Sequence, residues 1–210
     1  MEKKILIDMG PDFREQALKF HLERLDGLIL THTHYDHASG LDELRIFAMR
    51  QKKKIPLLLS KESLSELQVC YHYLFPKEGL PRMMALQILE QEAGDVTFEG
   101  IELGYFSYFQ TGMKVNGFRI GNAAYVTDIK EYDPSVFSSL KGVTTLILSG
   151  RRWEKSKAHL SLEEGMEFAK KAGVQRTFFT HISHEIEHAS TSAKLPDGFF
   201  LAYDGLELEL

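Results

Sequence analysis

The chain is poor in cysteine, tryptophan and proline, with one, one and six among its 210 residues. A single thiol, Cys70, excludes an intrachain disulfide framework, so the fold must rest on its core, and a reducing cytoplasm is the expected setting. Lying on a helix-like stretch, Cys70 reads as a core thiol and not as a nucleophile. No apolar run is long enough to cross a bilayer, and no charged segment followed by an apolar one opens the chain, so a soluble, unexported protein with no membrane role is expected. Positive charge is also scarce. With 25 Lys and Arg against 30 Asp and Glu, and no basic run longer than Lys52-Lys53-Lys54, there is no electrostatic footprint for nucleic acid. Repeats, low-complexity tracts and linkers are missing as well. A hydrophobic content of 43% is enough for one substantial core, which predicts a single domain over residues 1–210.

What the chain does have is histidine in one place. Leu30-Thr31-His32-Thr33-His34-Tyr35-Asp36-His37 follows the apolar run Leu28-Ile29-Leu30 and precedes a helix-like start after Gly40. On an extended segment His32 and His34 can point one way, while Asp36 and His37, past the turn, point another. Such a set suits two adjacent divalent cations. Imidazole and carboxylate without thiolate favour zinc, manganese or iron in an open catalytic site over a closed structural zinc site.

The rest of the chain alternates strand-like and helix-like stretches. Ile5-Leu6-Ile7 reads as a buried strand ended by Gly10-Pro11, and Asp12 as the cap of a helix from Phe13 to Arg24 with Ala17, Leu18 and Leu22 inward. Asp26 to Thr31 and Ile55 to Leu59 read as strands. Between them, a helix carries Leu41, Leu44 and Phe47. Ser60 or Ser63 starts another helix, with Leu64, Leu67, Tyr71 and Leu74 as its stripe. Phe75 to Gly94, with Pro76, Gly79 and Pro81, reads as an irregular excursion containing a short helix from Met83 to Glu90. Short β segments follow: Val96 to Phe98, Ile101 to Phe109, Gly117 to Ile120, Ala123 to Thr127, and Thr144 to Leu148. Ser161 with Glu164 is a capping box opening a helix that Gly173 stops, and Gln175 to Thr180 is a strand delivering His181. The C-terminus reads as a hairpin turned at Asp204-Gly205. Acidic and histidine residues recur at strand ends, and the pattern fits an α/β chain folded as an αββα sandwich.

The spacing His-x-His-x-Asp-His resembles the signature of the metallo-β-lactamase superfamily. Ile7-Asp8-Met9-Gly10-Pro11, Gly117-Phe118-Arg119-Ile120-Gly121, Tyr125-Val126-Thr127-Asp128, Thr180-His181-Ile182-Ser183-His184 and Leu195-Pro196-Asp197-Gly198 narrow the resemblance to the phosphoribosyl cyclic phosphate phosphodiesterase branch. That resemblance implies two divalent metal ions, zinc or manganese. His32 and His34 would hold the first, and Asp36, His37 and His181 the second, with Asp128 bridging them. It implies His159 as the proton donor to the leaving oxygen, Asp36 as a catalytic as well as a ligating residue, and His184 as a contact to substrate phosphate. His21 and His188 match no motif and read as surface residues.

The sequence departs from the branch twice. Its remaining histidine ligand falls here on Gln110, a weaker donor for such metals. Family members also carry a segment with a glycine-rich turn ahead of the strand at Lys3, so this strand is expected to have an unpaired edge that is paired with a second copy, covered by the C-terminal hairpin, or left to make the chain less soluble than a version extended upstream. The expected activity is hydrolysis of a small cyclic phosphodiester at a dinuclear site. The alternative is a degenerate domain that binds one metal or a phosphorylated ligand without turnover.

Overall fold

The computed structural model describes residues 3–75 and 83–209. The chain divides into two compact units, residues 1–91 with 98–100 and residues 92–97 with 101–210, each with its own sheet and core.

The first unit is a four-stranded sheet in the order β1-β2-β3-β4: Ile5–Ile7, Gly27–Ile29, Ile55–Ser60 and Met84–Leu89. Every pairing in it is parallel. A strand inside such a sheet has both faces covered, which is why Leu28-Ile29-Leu30 and Ile55 to Leu59 read as continuous apolar runs. Leu28, Ile29, Leu57, Leu58 and Leu59 are fully buried, each side chain contributing about 1.5–3 kcal/mol. Helices α1 (Phe13–Lys19), α2 (Tyr35–Ala38), α3 (Leu44–Gln51) and α4 (Lys61–Cys70) connect the strands. Ser60 settles the choice of cap for α4, its hydroxyl accepting from the Ser63 N–H.

Several expectations for this unit are corrected. α1 stops at Lys19, with His21 in the left-handed region (φ 51°); Leu18, within it, is 66% exposed, and the Asp12 side chain caps nothing. The helix expected over Met83 to Glu90 is the strand β4, because pairing along the whole of β3, from Ile55↔Met84 to Ser60↔Leu89, outweighs local helix preference. Of the excursion before it, residues 76–82, with Pro76, Gly79 and Pro81, lie outside the described residues. Cys70 is exposed at the end of α4 and is no core thiol. β1 forms the sheet's edge, its three residues only partly buried.

The second unit holds a seven-stranded sheet in the order β11-β10-β9-β8-β7-β6-β5. β5 (Ala93–Phe98), β6 (Ile101–Gln110), β7 (Met113–Ile120) and β8 (Ala123–Val126) are followed by α5 (Val136–Ser139), β9 (Thr145–Ser149) and α6 (Leu162–Ala172). β10 (Arg176–Thr180), α7 (His188–Ser192) and β11 (Phe199–Leu201) complete it. Thr111 (φ 47°) and Gly112 (φ 85°) make the two-residue turn between β6 and β7, leaving Gln110 opposite Met113. β8, β9 and β10 run parallel, with Val126 beside Leu148 and Ser149 beside Thr180, so their C-terminal ends open together. Gly165 on α6 lies so close to β10 that a Cβ there would come within 2.7 Å of the Phe179 ring. The expected C-terminal hairpin is absent: Phe199–Leu201 pairs in parallel with β10, and 206–209 form no strand. Among the described residues β1 pairs with β2 alone.

The capping box is present as expected. Ser161 Oγ accepts from the Glu164 N–H, and the Glu164 carboxylate accepts from the Ser161 N–H. Burial tends to raise the Glu164 carboxyl, but the Ser161 N–H and Lys130 outweigh it and hold the group below the ordinary glutamate value of 4.5. This stabilisation is therefore present above the unfolded value and is lost as pH falls through the lower, folded one. Ser161→Ala should cost about 1 kcal/mol in urea unfolding at neutral pH, while the acid-sensitive part, which runs through the Ser161 backbone N–H and Lys130, should persist in that variant and disappear in Glu164→Gln.

Candidate metal centre

In the first unit the histidine cluster stands at the C-terminal end of β2, with α2 supplying Asp36 and His37. His32 and His37 are buried, His34 is half-buried and Asp36 is exposed. One residue organises them. Asp8, just past β1, adopts a left-handed backbone (φ 61°), and its carboxylate accepts from the Thr31 N–H (2.8 Å), the Thr31 hydroxyl (2.8 Å) and His37 Nδ1 (2.7 Å). Because a carboxylate only accepts, His37 carries its proton on Nδ1 and presents Nε2. The Thr31 hydroxyl gives its one proton to Asp8, so it accepts from His32 Nδ1 at 2.9 Å, and His32 too presents Nε2. That atom lies 3.0 Å from His34 Nδ1. Two nitrogens on one tetrahedral zinc, at 2.0–2.1 Å each, sit roughly 3.3 Å apart. The spacing fits a shared cation.

The chain packs closely behind this cluster. Met9 N–H donates to the His37 carbonyl and Gly40 N–H to the Met9 carbonyl, at 2.7 and 2.8 Å. A Cβ on Gly10 would collide with the Asp36 carbonyl oxygen, so glycine is required for that approach.

In the second unit the C-terminal ends of β8 and β10 deliver Asp128 and His181, both left-handed (φ 54° and 58°). Asp128 is 1% exposed, and its N–H donates to Ser149 Oγ at 2.8 Å. Its Oδ1 lies 3.3 Å from His181 Nε2 and 3.4 Å from His159 Nδ1. A ligand atom from each of the three falls within 4.8 Å of the others, so this group fits a cation as well. His159, expected as a proton donor, therefore also stands where a ligand could. Gln110, at the end of β6, is 2% exposed, with its amide nitrogen 3.1 Å from His159 Nδ1. Its Oε1 is buried with no hydrogen-bond partner among the described residues.

His184 is exposed and lines a cavity of about 230 Å³ with His159, Arg151, Arg152, Ser156, Ala158, Ser183 and Glu185. Arg151 Nη1 reaches His159 Nε2 at 2.8 Å. Arg152 Nη1 grips both Glu185 oxygens, at 3.1 and 3.2 Å, and with Ser183 holds that carboxyl below the usual range. Neither Asp8 nor Arg151 was assigned a role from sequence. Asp8 stood in a matching motif, but only the register of β1 on β2 brings it to Thr31.

The model of the beta-lactamase superfamily domain matches residues 3–182. The chain belongs to the metallo-β-lactamase superfamily. A diphosphatase from the PhnP family superposes with a TM-score of 0.88 at 31% identity, over 97% of this chain and 78% of that one. An octanoyltransferase of Porphyromonas gingivalis (strain ATCC BAA-308 / W83) is 30% identical over 98% of this chain, which spans only 42% of that protein. The anti-Pycsar protein Apyc1 of Bacillus phage 010DV004 is 38% identical over 37% of this chain and 33% of its own length. The likeness to the PhnP-family structure supports the α/β fold with its two sheets and the branch expected from sequence. No described helix is long and apolar enough to cross a membrane.

Removing the shared acceptor should loosen the ligands without touching them. Asp8→Ala is expected to weaken metal binding about 10- to 100-fold, read by competition with a chelating dye. Unchanged affinity would remove Asp8 from the centre.

Proposed function

We propose that this chain is a metal-dependent hydrolase of a small cyclic phosphodiester, acting through a dinuclear site. His32 and His34 would hold one ion, Asp36, His37 and His181 the other, and Asp128 would bridge them. The observation that carries the reading is the Asp128 carboxylate, buried and faced by two imidazoles, in a chain that also bears His-x-His-x-Asp-His. A buried carboxylate is costly unless paired or metal-bound, and Asp128 stands where such pairing is on offer. The likeness to a diphosphatase supports phosphoryl over acyl chemistry. Octanoyl transfer is named for a protein more than twice this length, and nothing in this site favours it.

Bound divalent cations would supply Lewis-acid stabilisation of the phosphoryl oxygens and an activated water. The chain's own part begins with orientation. Asp8 fixes His32 and His37 with Nε2 presented, and the Ser149 hydroxyl anchors the Asp128 backbone. His159 then stands on the rim of the cavity with Nδ1 toward Asp128; Nε2 accepts from Arg151, so it would have to give up that bond and take a proton before passing one to the departing oxygen. His184, across the same cavity, would contact the substrate phosphate.

The second reading, a domain that binds one metal without turnover, is favoured by Gln110, on which the resemblance puts the branch's remaining histidine ligand. One measurement separates the two: metal content of protein purified without chelator, together with a screen of small cyclic and linear phosphodiesters. Metal-dependent turnover of any of them supports the first, and bound metal with no turnover supports the second.

His159→Ala should lower turnover about 10²- to 10⁴-fold while leaving metal content unchanged. Loss of an equivalent of metal would make His159 a ligand. Because Gln110 weakens the first site, metal titration should show one tight and one loose equivalent, and Gln110→His should tighten the loose one. Two equal equivalents in the parent protein would overturn that ranking.

A further inference from the structure

The cavity beside His159 is smaller, at about 230 Å³, than the roughly 300–1,000 Å³ of sites that enclose a whole drug-sized ligand. Its size suits a single charged group, and its lining has an uneven charge. Arg152 is committed to Glu185, the only carboxylate among the lining residues, so those two charges offset one another. Arg151 has no carboxylate partner among the described residues. Its one side-chain bond is to His159 Nε2, leaving further N–H donors.

The backbone holds this arginine in place. Its N–H donates to the Leu160 carbonyl (3.2 Å), and its carbonyl accepts from the Ser183 N–H (2.9 Å), while the Leu162 N–H donates to the Arg152 carbonyl (2.8 Å). The stretches carrying His159 and His184 are thus both tied to the arginine pair. Neither Asp128 nor His181 lines the cavity. Arg151 meets His159 at Nε2, whereas Asp128 faces Nδ1, so an occupant would lie across the imidazole ring from Asp128.

We infer that Arg151 makes this cavity an anion pocket for a phosphate-type group, and that Arg151 selects phosphorylated substrates over neutral ones. The inference rests on the reading of His159 as the reacting end of the site. Arg151 is the charged contact and His184 the second donor, and Glu185, once Arg152 neutralises it, no longer repels the anion. When an anion enters, guanidinium N–H groups turn from the His159 ring to its oxygens, which match the planar fork. Arg151 thereby links occupancy of the pocket to release of the His159 nitrogen that faces it.

The only tryptophan, Trp153, follows Arg152 directly and gives a fluorescence signal beside the pocket. The full chain, metal-stripped and metal-loaded, is titrated with inorganic phosphate and with potassium chloride at matched ionic strength. Saturable quenching or enhancement by phosphate, with or without metal, is expected. Arg151→Gln should weaken it about tenfold or more, Arg151→Lys should recover part of the loss, and Glu185→Gln, by freeing Arg152 for the anion, should tighten binding, a direction that misfolding does not produce. With a phosphodiester substrate, Arg151→Gln should raise KM more than it lowers kcat. Phosphate binding that vanishes with the metal, or that is unchanged in both Arg151→Gln and Glu185→Gln, would overturn the inference while leaving metal-dependent hydrolysis intact. Arg151-dependent binding in a protein that turns over no phosphodiester would support the pocket and sink the proposed activity instead.

Discussion

The carboxylate of Asp8 is the constraint on which the first unit's ligands depend. It receives three donors, two of them from Thr31, and through that threonine it governs His32 while it holds His37 directly. Both imidazoles are thereby locked in one tautomer with the same nitrogen outward. A histidine cluster on a loop would lose rotamer entropy on binding a cation, and here that loss is met during folding by hydrogen bonds to an 8% exposed acid. The parallel register of β1 on β2 is what makes this possible, since Ile7 beside Ile29 places Asp8 level with the residues leading into the cluster.

The same device recurs at other strand ends. Asp8, Asp128 and His181 each leave a parallel strand in the left-handed conformation, which costs a non-glycine residue roughly 1–3 kcal/mol. Aspartate and histidine tolerate that region better than most side chains. The turn swings each side chain away from the strand's alternation and toward the open C-terminal ends. Strain, sheet topology and ligand chemistry thus coincide at three positions, a concentration expected of a site and not of a core.

Some of this was legible in the sequence, and the boundary follows physical lines. Continuous apolar runs gave β2 and β3 because parallel strands are covered on both faces, and Ser161 with Glu164 gave the start of α6 because a capping box is a purely local bond pattern. Where partners are distant in sequence, local reading failed. Met83 to Glu90 has helix-forming residues, but β3 recruits it as a strand. Gly198 to Leu210 has a hairpin's turn residues, but β10 takes Phe199–Leu201 in parallel. Leu18 fits a helical stripe and lies within α1, yet it faces solvent. The histidine cluster could be located from spacing alone. The role of Asp8 could not, because it arises from the pairing of β1 with β2, and the placing of Arg151 follows from hydrogen bonds to Leu160 and Ser183 that no sequence periodicity encodes.

The exposure of Cys70 has a practical consequence. It is the sole thiol and lies in the first unit, while the sole indole, Trp153, lies in the second. A thiol-reactive acceptor dye can therefore be attached at one defined position, with a native donor already present at another. Without any substitution, the chain provides a resonance energy transfer pair with one chromophore in each half.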